Sequence, residues 1–357
     1  MFYTDVFVIG GGPAGLAAAI AARARGMRVV VVDGSRPPID KACGEGLMPD
    51  SIAAAARIGI KLPRGAGQRF RGVRFLGDGH SVCSEFPDGF GLGFRRTALH
   101  SELVAQAERA GVDMRWSTPV TALDQVSARW IVGADGASSL VRRWTGLDSF
   151  ARNSRRFAYR LHFRRAPWTD YMEIYWGEAR QMYVTPVAQD EVCVALIERT
   201  PDVRLEQALA GFPTLAEHLR GIDTSSGERG SVTGTARLRH VVRGNVALIG
   251  DASGSVDAIT GEGLCQAFRQ AAALADAMVE NDLSHYEMMH RRIAFRPTFM
   301  ADMMLTMDRW PAIRRRALRA MAYSPETFSK MLAGHVGALS PRQMLQSSVA
   351  LGWQMIR

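Results

Sequence analysis

The first thirty-odd residues leave this chain few ways to begin folding. A short apolar strand, Asp5 to Ile9, runs into Gly10-Gly11-Gly12-Pro13-Ala14-Gly15, and an alanine-rich helix is predicted to about Arg25. The β-branched run Val29 to Val32 follows and ends at Asp33. A continuous β-branched run marks a strand buried on both faces of a parallel sheet, so the segment reads as one βαβ unit. Gly10, Gly12 and Gly15 have the GxGxxG spacing. The first glycine permits a tight turn and the second lets the backbone approach a pyrophosphate. The third lets helix and strand pack, with the helix N-terminus, through Pro13 and Ala14, facing the phosphates. Asp33, followed by Gly34, is placed to accept from adenosine ribose hydroxyls, and its charge disfavours a 2′-phosphate.

A second segment, VALIGDASGSVDAITGEGLCQA from Val246 to Ala267, narrows which dinucleotide this is. A strand (Val246 to Ile249) ends in Gly250-Asp251, and a helix opens at Gly261-Glu262-Gly263, with Leu264 next. A carboxylate at a strand's carboxyl end, beside the phosphate loop, suits the ribityl hydroxyls of a flavin. A helix N-terminus suits the flavin's pyrimidine edge, where negative charge collects on reduction. The dinucleotide is therefore expected to be FAD, bound non-covalently. Asp135, between Gly133 and Gly136 and followed by Ser138, Ser139, Arg142 and Arg143, offers a third turn. It reads either as cofactor contact or as an aspartate cap on a following helix.

The remaining chain changes texture. Arg69 to Cys83 contains Gly77-Asp78-Gly79, a hairpin signal. Thr97 to Ala110 is expected to be helical, with Thr97 as its N-cap. Between Phe157 and Glu198 residues alternate as in antiparallel strands with one wet face. From about Leu264 onward the pattern is helical. The expected fold is α/β. A Rossmann-type FAD-binding domain (1–70, 95–150 and 240–285) carries an inserted mixed or antiparallel sheet (71–94 and 151–239), and a helical segment (286–357) follows.

Composition excludes several classes. The four cysteines are scattered without metal-type spacing, no disulfide or metal site is expected, and the eight histidines are dispersed. No signal-peptide pattern opens the chain and no run reaches the ~18 apolar residues of a membrane span, so a cytoplasmic protein is expected. The net charge is +9, and from His285 onward eleven basic residues face four acidic ones, with ten of the 17 methionines. That end reads as a solvated helical cap, or as a contact with a membrane surface that makes the protein peripheral to it. No nucleic-acid partner is expected.

Together GGGPAG (10–15), GADGASSLVRR (133–143) and GDASGSVDAITGEGL (250–264) resemble the three signatures of FAD enzymes built on the aromatic-hydroxylase plan. Arg96, Leu99 and Leu103 resemble the Arg-x-x-Leu-x-x-x-Leu helix of that group, whose arginine lies near the flavin. Lys41-Ala42-Cys43-Gly44-Glu45-Gly46-Leu47 resembles the Cys-Gly-Gly-Gly-Leu loop of geranylgeranyl reductases. The absence of a histidine after Gly250-Asp251-Ala252 points the same way. This resemblance implies that Cys43 and Gly44 lie near the flavin and that Cys43 takes part in turnover. Tyr183-Val184-Thr185-Pro186 stands where the reductases tend to have Trp-x-x-Pro, which makes Tyr183 the second catalytic candidate. Ala258 replaces a usual proline. The Trp-x-Trp-x-x-Pro segment of flavin halogenases is missing.

Two enzymatic readings follow, with a non-catalytic flavin-binding protein as a third. In the first, reduced FAD delivers hydride to a carbon–carbon double bond of a hydrophobic isoprenoid, lipid or polyketide-like substrate. In the second, reduced FAD reacts with oxygen and an aromatic or apolar substrate is hydroxylated or epoxidised. No second GxGxxG is present, so NAD(P)H would bind transiently or another donor would supply electrons.

Overall fold

The computed structural model describes residues 4–63, 65–148, 150–152, 155–201 and 203–356. Six strands form the nucleotide sheet. Thr4–Ile9 lies at its centre, flanked in parallel by Val29–Val32 and Ala128–Gly133, and Val246–Leu248 extends the sheet beyond Ala128–Gly133. The Val29–Val32 strand is buried at every residue, as its unbroken apolar run requires. Helices Pro13–Ala24 and Gly263–Glu280 pack together over this sheet, and their core residues (Leu16, Ala19, Phe268, Leu274) are essentially inaccessible. Small alanines let the two helices approach closely. Gly15 lets the helix sit on the strand and its turn, because a Cβ there would stand 1.9 Å from the Gly10 carbonyl oxygen.

The second sheet has seven strands. The hairpin Gly72–Gly77 and His80–Glu85 turns at Asp78 and Gly79, both at positive φ, and pairs in parallel with Tyr171–Trp176. Arg180–Ala188, Glu191–Glu198, Arg156–Phe163 and Arg229–Thr233 complete it as antiparallel neighbours. Alternation divides its two faces. Met172, Ile174, Trp176 and Tyr183 join one apolar cluster, while Tyr175, Met182, Val184 and Leu196 join another under the short helices near Leu205 and Leu215. The aromatic residues of this region are therefore divided between the two faces of the sheet. Tyr159 and Tyr183 reach the cavity, but Trp176 packs against Phe75 and Tyr175 points to the opposite side.

Four helices (Leu283–Arg309, Pro311–Tyr323, Pro325–His335, Pro341–Ile356) follow the nucleotide domain. Three of them open on proline, whose fixed φ suits the first helical position. Met304, Leu318, Met321, Phe328 and Leu351 cover the sheet face that carries Trp176 and Tyr183. The segment is a packed cap on the substrate-side sheet. No helix among the described residues is long and apolar enough to cross a membrane. Arg357, counted with the basic residues above, lies outside the described residues.

The predicted elements differ from the observed ones at two ends that matter. The helix expected at Thr97 is Arg96–Arg109, and no side chain caps it from within the helix. Its first N–H, on Arg96, is instead accepted by Glu45 Oε1 at 2.9 Å. The late helix begins at Gly263 rather than Gly261. A short turn over Ala258–Thr260 precedes it, and Gly261 sits at φ 68° in the left-handed region.

Candidate functional site

One cavity of about 950 Å³ runs between the nucleotide sheet and the second sheet. It is at the upper end of the range of ligand pockets. Gly10, Gly12, Pro13, Ala14, Asp33 and Gly34 line one end. Asp135, Gly136, Gly250, Asp251, Gly261, Gly263 and Leu264 line the cavity as well, as do Cys43, Gly44 and Arg96. Tyr183 lies toward the other end, among Met48, Met172, Ala195, Ile197, Val256 and Ala258.

The nucleotide end is built largely of backbone. Gly10 adopts φ 113°, and a Cβ there would stand 2.4 Å from the Ala134 carbonyl oxygen, so strand and turn meet only at glycine. Trp116 covers Gly11, whose Cβ would stand 2.4 Å from the indole ring. Asp33 accepts from the Gly11 N–H at 2.7 Å and from the Ser35 N–H at 2.7 Å, tying the phosphate loop to the end of the second strand. His100 Nε2 lies 2.8 Å from the Gly11 carbonyl oxygen. A carbonyl only accepts, so this nitrogen carries the proton. Burial keeps the imidazole neutral by lowering its pKa.

The Gly250–Gly263 stretch is held from behind. Gln270 accepts from the Gly250 N–H at 2.8 Å, and the buried Arg142 donates to the Ala252 carbonyl at 3.1 Å. Ser253 donates to the Gly250 carbonyl at 2.8 Å, and His290 Nε2 lies 2.9 Å from the Ser253 hydroxyl. A histidine thus does support this loop, from the later Leu283–Arg309 helix, but it is not among the residues that line the cavity. Burial lowers its pKa to about 4. The turn before the late helix is fixed by Asp257, which accepts from the Ile259 N–H at 3.1 Å and pairs with the buried Arg156 at 3.4 Å. Gln181 joins Arg156 to Asp308 of the helical cap.

Five cavity-lining glycines give the fit to FAD. A Cβ placed on Gly12, Gly44, Gly136, Gly261 or Gly263 meets no atom within 4 Å, so each keeps the trough clear for a ligand. Arg96 adds a buried cation, and its Nη1 has no hydrogen-bond partner among the described residues. Such a donor is satisfied by a ligand acceptor or left at a cost of about 1–3 kcal/mol. Asp251 faces the trough and pairs with Lys41 at 2.7 Å. Both partners are more than one-third exposed, and exposed pairs of this kind are weak enough for a ligand hydroxyl to share the carboxylate.

Several expected site residues turn out otherwise. Gly15 does not line the cavity; it serves the packing of helix on strand. Glu262 does not line it either, and its buried carboxylate turns to Arg296 of the helical cap at 3.1 Å. Asp135 borders the trough, but its carboxylate accepts from the Ser139 hydroxyl and from the Leu140 and Val141 N–H groups at 2.6 and 3.1 Å. It is a helix cap. Tyr183 donates its hydroxyl proton to the Ile259 carbonyl at 2.7 Å, and burial raises its pKa. In this arrangement that proton holds the turn before the late helix, and the ring lines the cavity.

The Cys43 loop carries the main residue that motif reading passed over. Glu45 is buried and adopts φ 58°, a left-handed conformation that costs a non-glycine residue about 1–2 kcal/mol. Its carboxylate accepts from the Arg96 N–H and lies 2.7 Å from His162 Nε2. Arg160, which can only donate, approaches His162 Nδ1 at 3.1 Å. His162 therefore carries its proton on Nε2 and donates it to Glu45. Ser226 hydrogen-bonds the same Nδ1 at 2.8 Å. Cys193 completes a buried group with Glu45 and His162. The guanidinium of Arg160, 3.8 Å from Glu45, already supplies positive charge there, which disfavours a metal ion. Thr185 donates to the Gly44 carbonyl at 2.7 Å. Burial, and then the Glu45 carboxylate, push the Cys43 thiol above its usual pKa, so Cys43 is held as a thiol. The signal for Glu45 was present in the sequence as a glutamate standing where the resembling loop has glycine.

Comparison with known proteins agrees with this geometry. The profile described as pyridine nucleotide-disulphide oxidoreductase matches residues 4–129, and the FAD binding domain profile matches residues 101–281, more than half of the chain. Menaquinone reductase from Mycolicibacterium smegmatis is 28% identical over 79% of this chain and 78% of that protein. Digeranylgeranylglycerophospholipid reductase from Thermoplasma acidophilum is 26% identical over 78% of this chain and 80% of that protein. A flavin-dependent brominase shares the fold, with a TM-score of 0.82 at 15% identity over 99% of this chain and 100% of that one. The chain belongs to the FAD-binding domain family and is an FAD-dependent oxidoreductase.

Proposed function

We propose that this enzyme reduces a carbon–carbon double bond in the isoprenoid portion of a hydrophobic quinone or lipid. The continuity of the cavity carries the reading. The trough glycines and Met48, Met172, Ala195, Ile197 and Val256 line one cavity, whose apolar part would desolvate an apolar chain. Menaquinone and digeranylgeranyl lipids, named in the relatives, both carry such chains.

FAD, once reduced by the nicotinamide donor, would supply the hydride to one carbon of the double bond, and a proton from water would complete the other. The protein's own part is to hold and shield. Gly12 and the Pro13–Ala24 helix N-terminus take the pyrophosphate, Asp251 takes ribityl hydroxyls, and the turn pinned by Tyr183 and Asp257 presents the Gly263–Glu280 helix end to the ring. Cys43 and Gly44 form the facing wall, where the uncharged thiol adds no negative charge near a reduced flavin. NADPH or NADH, binding transiently, is the proposed donor.

The test is oxygen dependence. Purified FAD-loaded protein is given NADPH or NADH and menaquinone in detergent under anaerobic conditions. Saturation of one side-chain double bond, seen as a two-hydrogen mass increase that survives reoxidation of the quinone ring, is expected at the aerobic rate. Substrate-dependent oxygen uptake with a product one oxygen heavier would replace this reading with that of a monooxygenase.

A further inference from the structure

The helical cap concentrates exposed apolar side chains. Among the large hydrophobic residues that stand exposed, Met288, Phe295, Trp310, Tyr323, Leu345, Val349 and Trp353 all lie in it. Scattered exposed apolar residues are ordinary, but a group of this size on one part of a chain marks a contact surface. The Pro341–Ile356 helix gives it order. Met344 and Leu351 are buried, with Leu351 in the cluster beneath the cap. Leu345, Val349 and Trp353, spaced by four residues, form a second apolar stripe that is 60%, 54% and 66% exposed. The helix carries no acidic residue, and exposed Arg342 stands one turn before Leu345.

Charge identifies the occupant. The Pro311–Tyr323 helix packs against this helix and exposes Arg315, Arg316 and Arg319, none of which forms an ion pair among the described residues. From His285 onward the surplus is seven positive charges. A second copy of this positively charged cap would meet like charge, which disfavours it as the occupant. An anionic lipid headgroup layer would meet the guanidinium groups and bury the stripe. Trp310 and Trp353 add the amphipathic rings that favour a water–lipid boundary.

We propose that the Leu345–Val349–Trp353 stripe and the arginines of the neighbouring helix dock this protein on the surface of an anionic phospholipid bilayer. The helix lies in the headgroup plane and does not span. The docking would bring the enzyme to a phase in which an apolar substrate is concentrated, but it does not depend on the substrate's identity or on bound FAD.

Flotation of the full chain with vesicles tests this directly. Phosphatidylcholine vesicles containing phosphatidylglycerol are expected to carry the protein, pure phosphatidylcholine vesicles to carry much less, and added salt to release it. Trp353→Ser and Leu345→Ser should each weaken the partition by about tenfold, as loss of one large apolar side chain from the layer implies. Their melting temperatures should match the parent. Should either variant fold poorly, the surface change Arg316→Glu carries the test, with weaker binding and a shallower salt dependence. No flotation with the anionic vesicles, or equal flotation of the stripe variants, would overturn the proposal. So would a vesicle-free dimer that Trp353→Ser converts to monomer, because a second copy would then occupy the face.

Discussion

The two ends of the cavity are made of different material. At the nucleotide end the contacts come from backbone. Gly12, Gly136, Gly261 and Gly263 leave the space clear, Gly10 lets strand and turn meet, and helix N-termini supply the field. Around the Cys43 loop the support behind the cavity lining is made of side chains brought from far apart. Glu45, Arg96, Arg160, His162, Thr185 and Cys193 meet around the Cys43 loop across as many as 150 residues of sequence. Backbone recognition is local and leaves a spacing pattern, whereas a side-chain network leaves none.

The contrast can be broken most severely at Gly15. Gly15→Val would drive a side chain into the Gly10 carbonyl, 1.9 Å from its Cβ, and would part the helix from the strand. We expect loss of the yellow chromophore on purification and destabilisation of about 3 kcal/mol or more in chemical denaturation. Retained FAD at unchanged stability would show that this end tolerates side chains after all.

The Glu45 network is the matching probe at the other end. Glu45→Ala strips acceptors from the buried Arg96 N–H and from His162, and should cost about 2–3 kcal/mol. Glu45→Gln keeps an oxygen for Arg96 and should stay within about 1 kcal/mol of the parent. Both should keep FAD at purification. A Glu45→Ala protein that lost the cofactor would mean that the two ends are one unit.

His290 gives a pH signature. Its folded pKa of about 4 lies below the ordinary 6.5, so the unfolded chain binds its proton first as the pH falls. Its contribution is therefore fully present above about pH 6.5 and is lost as the pH falls toward 4, about 3 kcal/mol in all. His290→Gln should flatten the stability curve in that window; an unchanged curve would remove His290 from the support of the Gly250 loop.

The smallest effect concerns Cys43. With its thiol held protonated, alkylation by iodoacetamide at neutral pH should be slow beside that of the exposed Cys83. Cys43→Ala should keep FAD and impair turnover. Faster labelling of Cys43 than of Cys83 would show a thiolate there.

These probes follow the line between what was and was not legible in the sequence. The Asp5–Asp33 unit, the Asp78-Gly79 hairpin and the late glycine-opened helix were readable, because each follows from a period or a turn requirement within a dozen or two residues. Asp135 carried its ambiguity openly and proved to be a cap. The side-chain partners of Tyr183 and Glu262 were not legible, for one reason. A motif specifies where a residue stands, but whether its side chain faces the cavity or a neighbour depends on elements far along the chain, here Ile259 and Arg296. The network of Arg156, Asp257, Gln181 and Asp308 was invisible for the same reason.

The central claim is that the glycine trough and the apolar chamber serve one reaction in one cavity, without oxygen. The most direct measurement is anaerobic mixing of pre-reduced enzyme with menaquinone, followed by flavin absorbance and product mass. Return of the oxidised flavin spectrum together with a side chain two hydrogens heavier is the predicted result. A flavin that stays reduced until oxygen is admitted, and then yields an oxygenated product, would contradict it.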